Sequence, residues 1–203
     1  MREGDIVFIR SRSDNAQLIA ALSNINAKDD ADTVFTHCGI VFKDANDGKL
    51  KIYEGAGRGT HLTLKDWREK ESKGNGPLHN VYVRRWSGKP DLATGLKKVL
   101  ERAKTLHDTT YDNGFCWSDA HAYCSELVWK AFEAGGFSLG QLPTMEHYVS
   151  GASKAIAQEI KAKLEKEKHD YRNDKGYDPG EPAVSPEDIY KSTALVSVTD
   201  DTP

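Results

Sequence analysis

The chain has 203 residues, 38% of them hydrophobic, which is enough to bury one core and short for two full-sized folds. With 28 basic against 31 acidic residues the net charge is −3, so no global positive field draws it to nucleic acid or anionic lipid. Three cysteines without a Cys-x-x-Cys pair argue against a disulfide framework or a zinc ribbon, and no apolar run approaches the roughly 18–20 residues of a membrane span.

Met1-Arg2-Glu3-Gly4-Asp5 leads straight into an apolar run with no room for a signal peptide, so the expectation is a chain that is cytoplasmic as made. Four runs rich in β-branched and aromatic residues predict strands at 5–9, 37–42, 50–54 and 80–86. A hairpin turn is expected at Asp44–Gly48, and the set reads as an antiparallel meander. Between the first two strands, Asn15–Leu22 is a short helical patch with Leu18, Ile19 and Leu22 on one side.

From Pro90 the period changes. Leu92, Leu96, Val99, Leu100, Ala103 and Leu106 share one helical face, with Asp91 as the N-cap. A second helix starts near Cys124, carries Leu127, Val128, Ala131 and Phe132 in register, and stops at Gly135-Gly136. A third, over about 153–169, holds Ile156, Ile160 and Leu164 among charges that read as a solvated face. Residues 171–186 are polar with three prolines and read as a loop, and 194–198 supply a last strand. One domain, 1–203, is expected.

Cys124 falls in the first turn of the second helix, where unpaired backbone N–H groups and the helix dipole favour a thiolate over a thiol. On these residues alone it is equally well a small buried helix residue. A thiolate nucleophile needs an acid–base partner, normally histidine. His37 opens a strand, a rigid element, whereas His61, His79, His107, His121, His147 and His169 are assigned to loops or helix surfaces. Glu54 ends the neighbouring strand, from which a carboxylate can hold an imidazole in one tautomer. Taken singly, a strand-edge histidine is more often structural and a strand-end glutamate more often solvated.

Other patterns carry less. Gly136-Phe-Ser138-Leu-Gly140 has the letters of a nucleophile elbow but follows a helix rather than a strand. Gly55, Gly57 and Gly59 lack the spacing of a phosphate loop and read as a loop lining a site. Cys116, His121 and Cys124 match no standard zinc spacing, so no metal and no cofactor are expected.

Thr36-His-Cys-Gly-Ile-Val41, Tyr53-Glu54 and Tyr123-Cys-Ser-Glu-Leu-Val-Trp129, in that order, resemble the YiiX/YaeF branch of circularly permuted NlpC-type papain-like cysteine peptidases and amidases. Gly4-Asp-Ile-Val-Phe8, Leu64-Lys-Asp-Trp67, Tyr111-Asp112 and Val184-Ser-Pro-Glu-Asp188 extend the likeness over nearly the whole chain. The resemblance implies an α+β permuted papain-like fold, an antiparallel sheet packed against the helix that carries the cysteine. It implies Cys124 as nucleophile, His37 as base and acid, Glu54 as the orienting acid, and Tyr111 as a residue shaping the substrate pocket or oxyanion site. It further implies a peptide or amide substrate, bacterial cell-wall peptidoglycan being the leading expectation. The best-known relatives carry an export signal and this chain shows none. A secreted antibacterial effector, exported by a non-classical machine and paired with a secretion-system or immunity partner, would reconcile the two. Lipid or thioester acyl transfer, and a non-catalytic binding module, are the alternatives. Cys38, beside His37, places a second thiol near the expected site.

Overall fold

A computed structural model describes residues 1–10, 34–55, 60–72, 80–152, 154, 157–158, 161–162, 164–166 and 178–198. The expected helical patch at 15–22 and the loop glycines 57 and 59 lie outside these residues.

Strands β1 (Ile6–Ile9), β2 (His37–Lys43), β3 (Leu50–Tyr53) and β4 (Leu62–Thr63) follow one another. After helix α1 (Leu64–Ser72) comes β5 (Tyr82–Trp86). A 3₁₀ turn at Leu92–Thr94, capped by the Asp91 side chain on the Ala93 N–H, precedes helix α2 (Leu96–His107). The expected single helix from Pro90 is therefore broken at Gly95, where a Cβ would strike the Gly135 carbonyl and the Phe137 ring. Short strands β6 (Thr110–Tyr111) and β7 (His121–Ala122) lead to helix α3 (Cys124–Ala134). Helix α4 (Met145–Gly151), helix α5 (Pro186–Tyr190) and strand β8 (Leu195–Ser197) complete the described elements. The described residues between 154 and 166 are helical, and Leu164 among them is buried in the core.

Six strands form one sheet in the order β4-β3-β2-β1-β5-β8, every neighbouring pair antiparallel. The meander expectation holds for β1 to β3, to which the unexpected short strand β4 adds, but not for β5, which returns to the free edge of β1 and is itself covered by β8. Both faces of the central strands are buried, so β1 reads as the unbroken apolar run Ile-Val-Phe-Ile instead of alternating with polar residues. Val7, Ile9, Val41 and Ile52 meet Trp67 of α1 on one face. Ile6, Phe8, Cys38, Ile40 and Phe42 meet α2 and α3 on the other, through residues such as Val99, Ala103, Leu127 and Val128. Each fully buried side chain of this kind contributes about 1.5–3 kcal/mol relative to exposure. The two layers fix where the ends of β2 and β3 lie relative to the start of α3.

A short helix begins at the last residue of the polar segment expected to be a loop. Pro186 is its first residue, and Ser185 accepts from the Asp188 N–H while the Asp188 carboxylate accepts from the Ser185 N–H. Proline suits that position because its missing N–H would be unpaired in any case.

Candidate active site

The site is assembled from the end of one strand, the residue after another, and the first turn of a helix. His37 is the first residue of β2, and Glu54 follows the last residue of β3. The ladder pairs Ile40 with Tyr53, and continuing that register sets Glu54 across from Gly39, diagonal to His37 on the same face. His37 Nε2 donates to Glu54 Oε2 at 2.6 Å. Its other ring nitrogen, Nδ1, is then left for the sulfur of Cys124, with which the imidazole shares a hydrogen bond.

Helix α1 completes the surroundings of Glu54. Trp67 Nε1 donates to the same Oε2 at 2.7 Å, and Lys70 Nζ donates to Oε1 at 2.7 Å. The Trp67 indole also stacks on the His37 imidazole, with ring centroids 5.5 Å apart and planes inclined by 27°. Trp67 and Lys70 stand one helical turn apart, so a single helix face supplies both donors. Burial pushes the Glu54 carboxyl up, but His37 and Lys70 outweigh it and bring its pKa down to about 2.

Cys124 is the first residue of α3 and is fully buried. A hydrogen bond from the Cys38 thiol lowers its pKa, burial works against that, and the charge and hydrogen bond of His37 add to it. The thiol ends well below the ordinary cysteine range. The backbone N–H of Cys38 contributes in the same direction. Cys38 itself moves oppositely, pushed well up by burial and by its bond to Cys124. Burial alone would lower the pKa of His37, but Glu71, Cys124 and Glu54 prevail and raise it well above the usual histidine range. The two shifts together describe a thiolate facing an imidazolium.

Gly55 shows how closely the parts meet. A Cβ there would stand 2.8 Å from the Cys124 nitrogen and 2.8 Å from the Tyr123 carbonyl carbon, so the turn carrying Glu54 lies directly against the start of α3. Tyr111, on β6, pairs with Ala122 of β7, two residues before Cys124. Burial, with Cys124 and Cys38 nearby, pushes its hydroxyl well up, which keeps it a neutral donor. The start of α3 is braced from the other side. Glu126 accepts from the Ser118 and Tyr123 N–H groups and pairs with Lys130 at 2.8 Å.

The structure thus brings Cys124, His37, Glu54 and Tyr111 into one cluster. Sequence reasoning assigns no part to Trp67, Lys70 and Glu71, because the pattern of residues 64–72 does not announce a helix. Nor does it place His107 correctly. Expected on a loop or helix surface, His107 is fully buried at the end of α2, its Nδ1 against the backbone of Glu54. Ser138 of the elbow-like motif is exposed and, among the described residues, bonds to Gly140 within its own turn.

Residues 1–199 match the family described as permuted papain-like amidase enzyme, YaeF/YiiX, C92 family. The chain belongs to this family. It is therefore a permuted papain-like protein of the cysteine peptidase or amidase kind, and the mixed α+β architecture agrees. Among its relatives is the uncharacterized protein YiiX of Escherichia coli K12, 27% identical over 201 residues that span 98% of this chain and 87% of YiiX. The crystal structure of YiiX from Escherichia coli O157:H7, described as a metalloprotein, superposes with a TM-score of 0.70 at 27% identity. That match covers 100% of this chain and 98% of the other.

Proposed function

We propose that this member of the permuted amidase family hydrolyses an amide bond through Cys124, His37 and Glu54, with peptides of the bacterial cell wall as the substrate class. The observation that carries the reading is the 2.6 Å bond between His37 and Glu54, set beside a buried Cys124 whose pKa the neighbouring His37 helps to lower. The Cys124 thiolate attacks the carbonyl carbon, and the electron pair of the C=O moves to oxygen. The first-turn N–H groups of α3 and the Tyr111 hydroxyl are the donors suited to that oxyanion. As the C–N bond breaks, the His37 imidazolium gives its proton to the leaving amine, and a thioester remains on Cys124. Neutral His37 then takes a proton from water, whose oxygen displaces the thiolate and releases the acid. Glu54 holds the ring in the tautomer this sequence needs.

The E. coli YiiX structure is described as a metalloprotein, which invites a metal at the same cluster. His37, Glu54 and Glu71 do bring three ligand atoms within 4.8 Å of one another. They fit a metal poorly, because His37 Nε2 is bonded to Glu54 and both oxygens of Glu54 already accept from Trp67 and Lys70. The cysteine reading uses these groups as they stand.

Peptidoglycan lies outside the cytoplasm, so this reading also calls for export, and a secreted antibacterial effector with an immunity partner is the form that meets it. The deciding experiment is mass spectrometry of muropeptides incubated with the wild-type chain and with Cys124→Ala. New termini at one amide bond, made by the wild type alone, are expected. Unchanged muropeptides, together with turnover of a lipid or thioester, would replace the substrate class.

A further inference from the structure

A second polar cluster lies on the far side of the Glu54 peptide and takes no part in the chemistry above. His61 and His107 face each other with ring centroids 5.1 Å apart. The Nε2 atom of each is buried, and neither has a hydrogen-bond partner among the described residues. Two such atoms on facing rings are unusual, because an unsatisfied buried polar group costs roughly 1–3 kcal/mol. Asp108, exposed at the end of α2, adds a carboxylate, and the three ligand atoms lie within 4.8 Å of one another.

The other side of the His107 ring rests on the Glu54 backbone. In one tautomer its Nδ1 donates to the Glu54 carbonyl oxygen at 2.8 Å, and in the other it accepts from the Glu54 N–H at 3.1 Å. The first tautomer leaves Nε2 presenting a lone pair, and it is the one a metal ion would select. A ring N–H bonded to a backbone carbonyl is the usual support behind a metal-bound histidine, since it fixes both orientation and basicity. Phe42 and Tyr53 wall the His61 ring edge-on, at 5.0 and 5.5 Å between centroids.

We infer that His61 Nε2, His107 Nε2 and the Asp108 carboxylate form a binding site for one divalent transition-metal ion, of which zinc is the representative. Two imidazoles and a carboxylate are a donor set for that class of ion, whereas magnesium and calcium prefer oxygen alone. Ligand atoms about 2 Å from a tetrahedral ion lie roughly 3.3 Å apart, so small side-chain rotations suffice to close the set. The role is positional: an ion there locks the ring that holds the backbone of Glu54, whose side chain belongs to the catalytic cluster.

The test uses the full chain carrying Cys124→Ala, so that the thiolate cannot capture the probe. After chelator treatment and dialysis, zinc binding is measured by calorimetry, and cobalt binding by its visible ligand-field absorption. One equivalent per chain is expected. Affinity should fall by at least about 10-fold in Asp108→Asn and binding should be lost in His61→Ala, both checked for folding by circular dichroism. Zinc should raise the melting temperature of the parent and not of His61→Ala. Glu71→Gln should bind as the parent does. The absence of a stoichiometric site, or binding that survives in folded His61→Ala, overturns the inference. So does loss of binding in folded Glu71→Gln, which would move the ion to the catalytic residues. Because the readouts are binding and melting, they stand apart from whether muropeptides are cut.

Discussion

Trp67 and His37 donate to one and the same oxygen of Glu54, at 2.7 and 2.6 Å, while their rings stack. One aromatic side chain thus fixes the acid by its N–H and the base by its face. The carboxylate is left with no freedom to turn, since Lys70 occupies its other oxygen. Preorganisation of this kind places His37 before any substrate arrives.

The first prediction separates the two functions of Glu54. Glu54→Gln keeps an acceptor for His37 but removes the charge that favours the imidazolium, and its NH2 faces a donor. Trp67→Phe keeps the stacking surface and removes one donor. Both should lower kcat by about 10- to 100-fold with KM little changed. Trp67→Phe should also cost about 1.5–3 kcal/mol of stability, because a hydrogen bond to a charged group is lost. Steady-state kinetics and chemical denaturation check both, and wild-type kcat in either folded variant would remove Glu54 from the proposed mechanism.

The second prediction concerns the thiols. Cys38, Cys116 and Cys124 are all buried, so exposure does not rank their reactivity and thiolate fraction must. Cys124 is shifted down and Cys38 up, so Cys124 should be carboxamidomethylated first at neutral pH. Cys38→Ala removes the S–H that supports the thiolate and should slow that labelling, with the fold retained. Peptide-resolved mass spectrometry after a short iodoacetamide pulse reads both effects. Faster modification of Cys38 or Cys116 than of Cys124 would contradict the assignment.

How much of the molecule is legible in the chain depends on how each signal is written there. The strands around His37 and Glu54 are visible as dense β-branched and aromatic runs, and the Cys124 helix as an apolar stripe closed by two glycines. Helix α1 is not visible, because Leu64–Ser72 holds only two large apolar residues, Leu64 and Trp67, among charges. With it go Trp67 and Lys70, two of the three groups that bond to the Glu54 carboxylate. His107 follows a run of helix in which its neighbours Glu101, Lys104 and Asp108 are exposed, so its position reads as surface. Its burial comes from β3 passing over the end of α2, a long-range contact that no local period encodes.

The third prediction tests the contact between the Glu54 turn and the helix. Gly55→Ala forces a methyl group to 2.8 Å from backbone atoms of Tyr123 and Cys124, and backbone cannot swing aside as a flexible side chain can. Overpacking of this kind costs about 1–3 kcal/mol. A matching fall in denaturation midpoint is expected, with a loss of activity larger than stability alone explains, because Glu54 is displaced relative to Cys124. Unchanged stability and turnover in Gly55→Ala would show that the turn and the helix are not in the close contact described.

The fourth prediction is the pH dependence, and its sign follows from the two shifts. The thiolate of Cys124 exists above its own pKa, which is held well below the usual thiol value, so alkylation should persist well into the acid range. The proton that the leaving amine needs exists only below the pKa of His37, which is held well above 6.5. Turnover should therefore be bell-shaped with a broad top, its acid limb set by the thiolate and its alkaline limb by the imidazolium. Alkylation should show the acid limb alone, since a thiolate needs no proton donor to displace iodide. In His37→Ala the acid limb should move up toward the ordinary cysteine value of about 8.5, because the neighbouring positive charge is gone. Rate constants measured from acid to alkaline pH for both reactions decide the matter: an alkylation midpoint near about 8.5 in the wild type would mean that no ion pair is present.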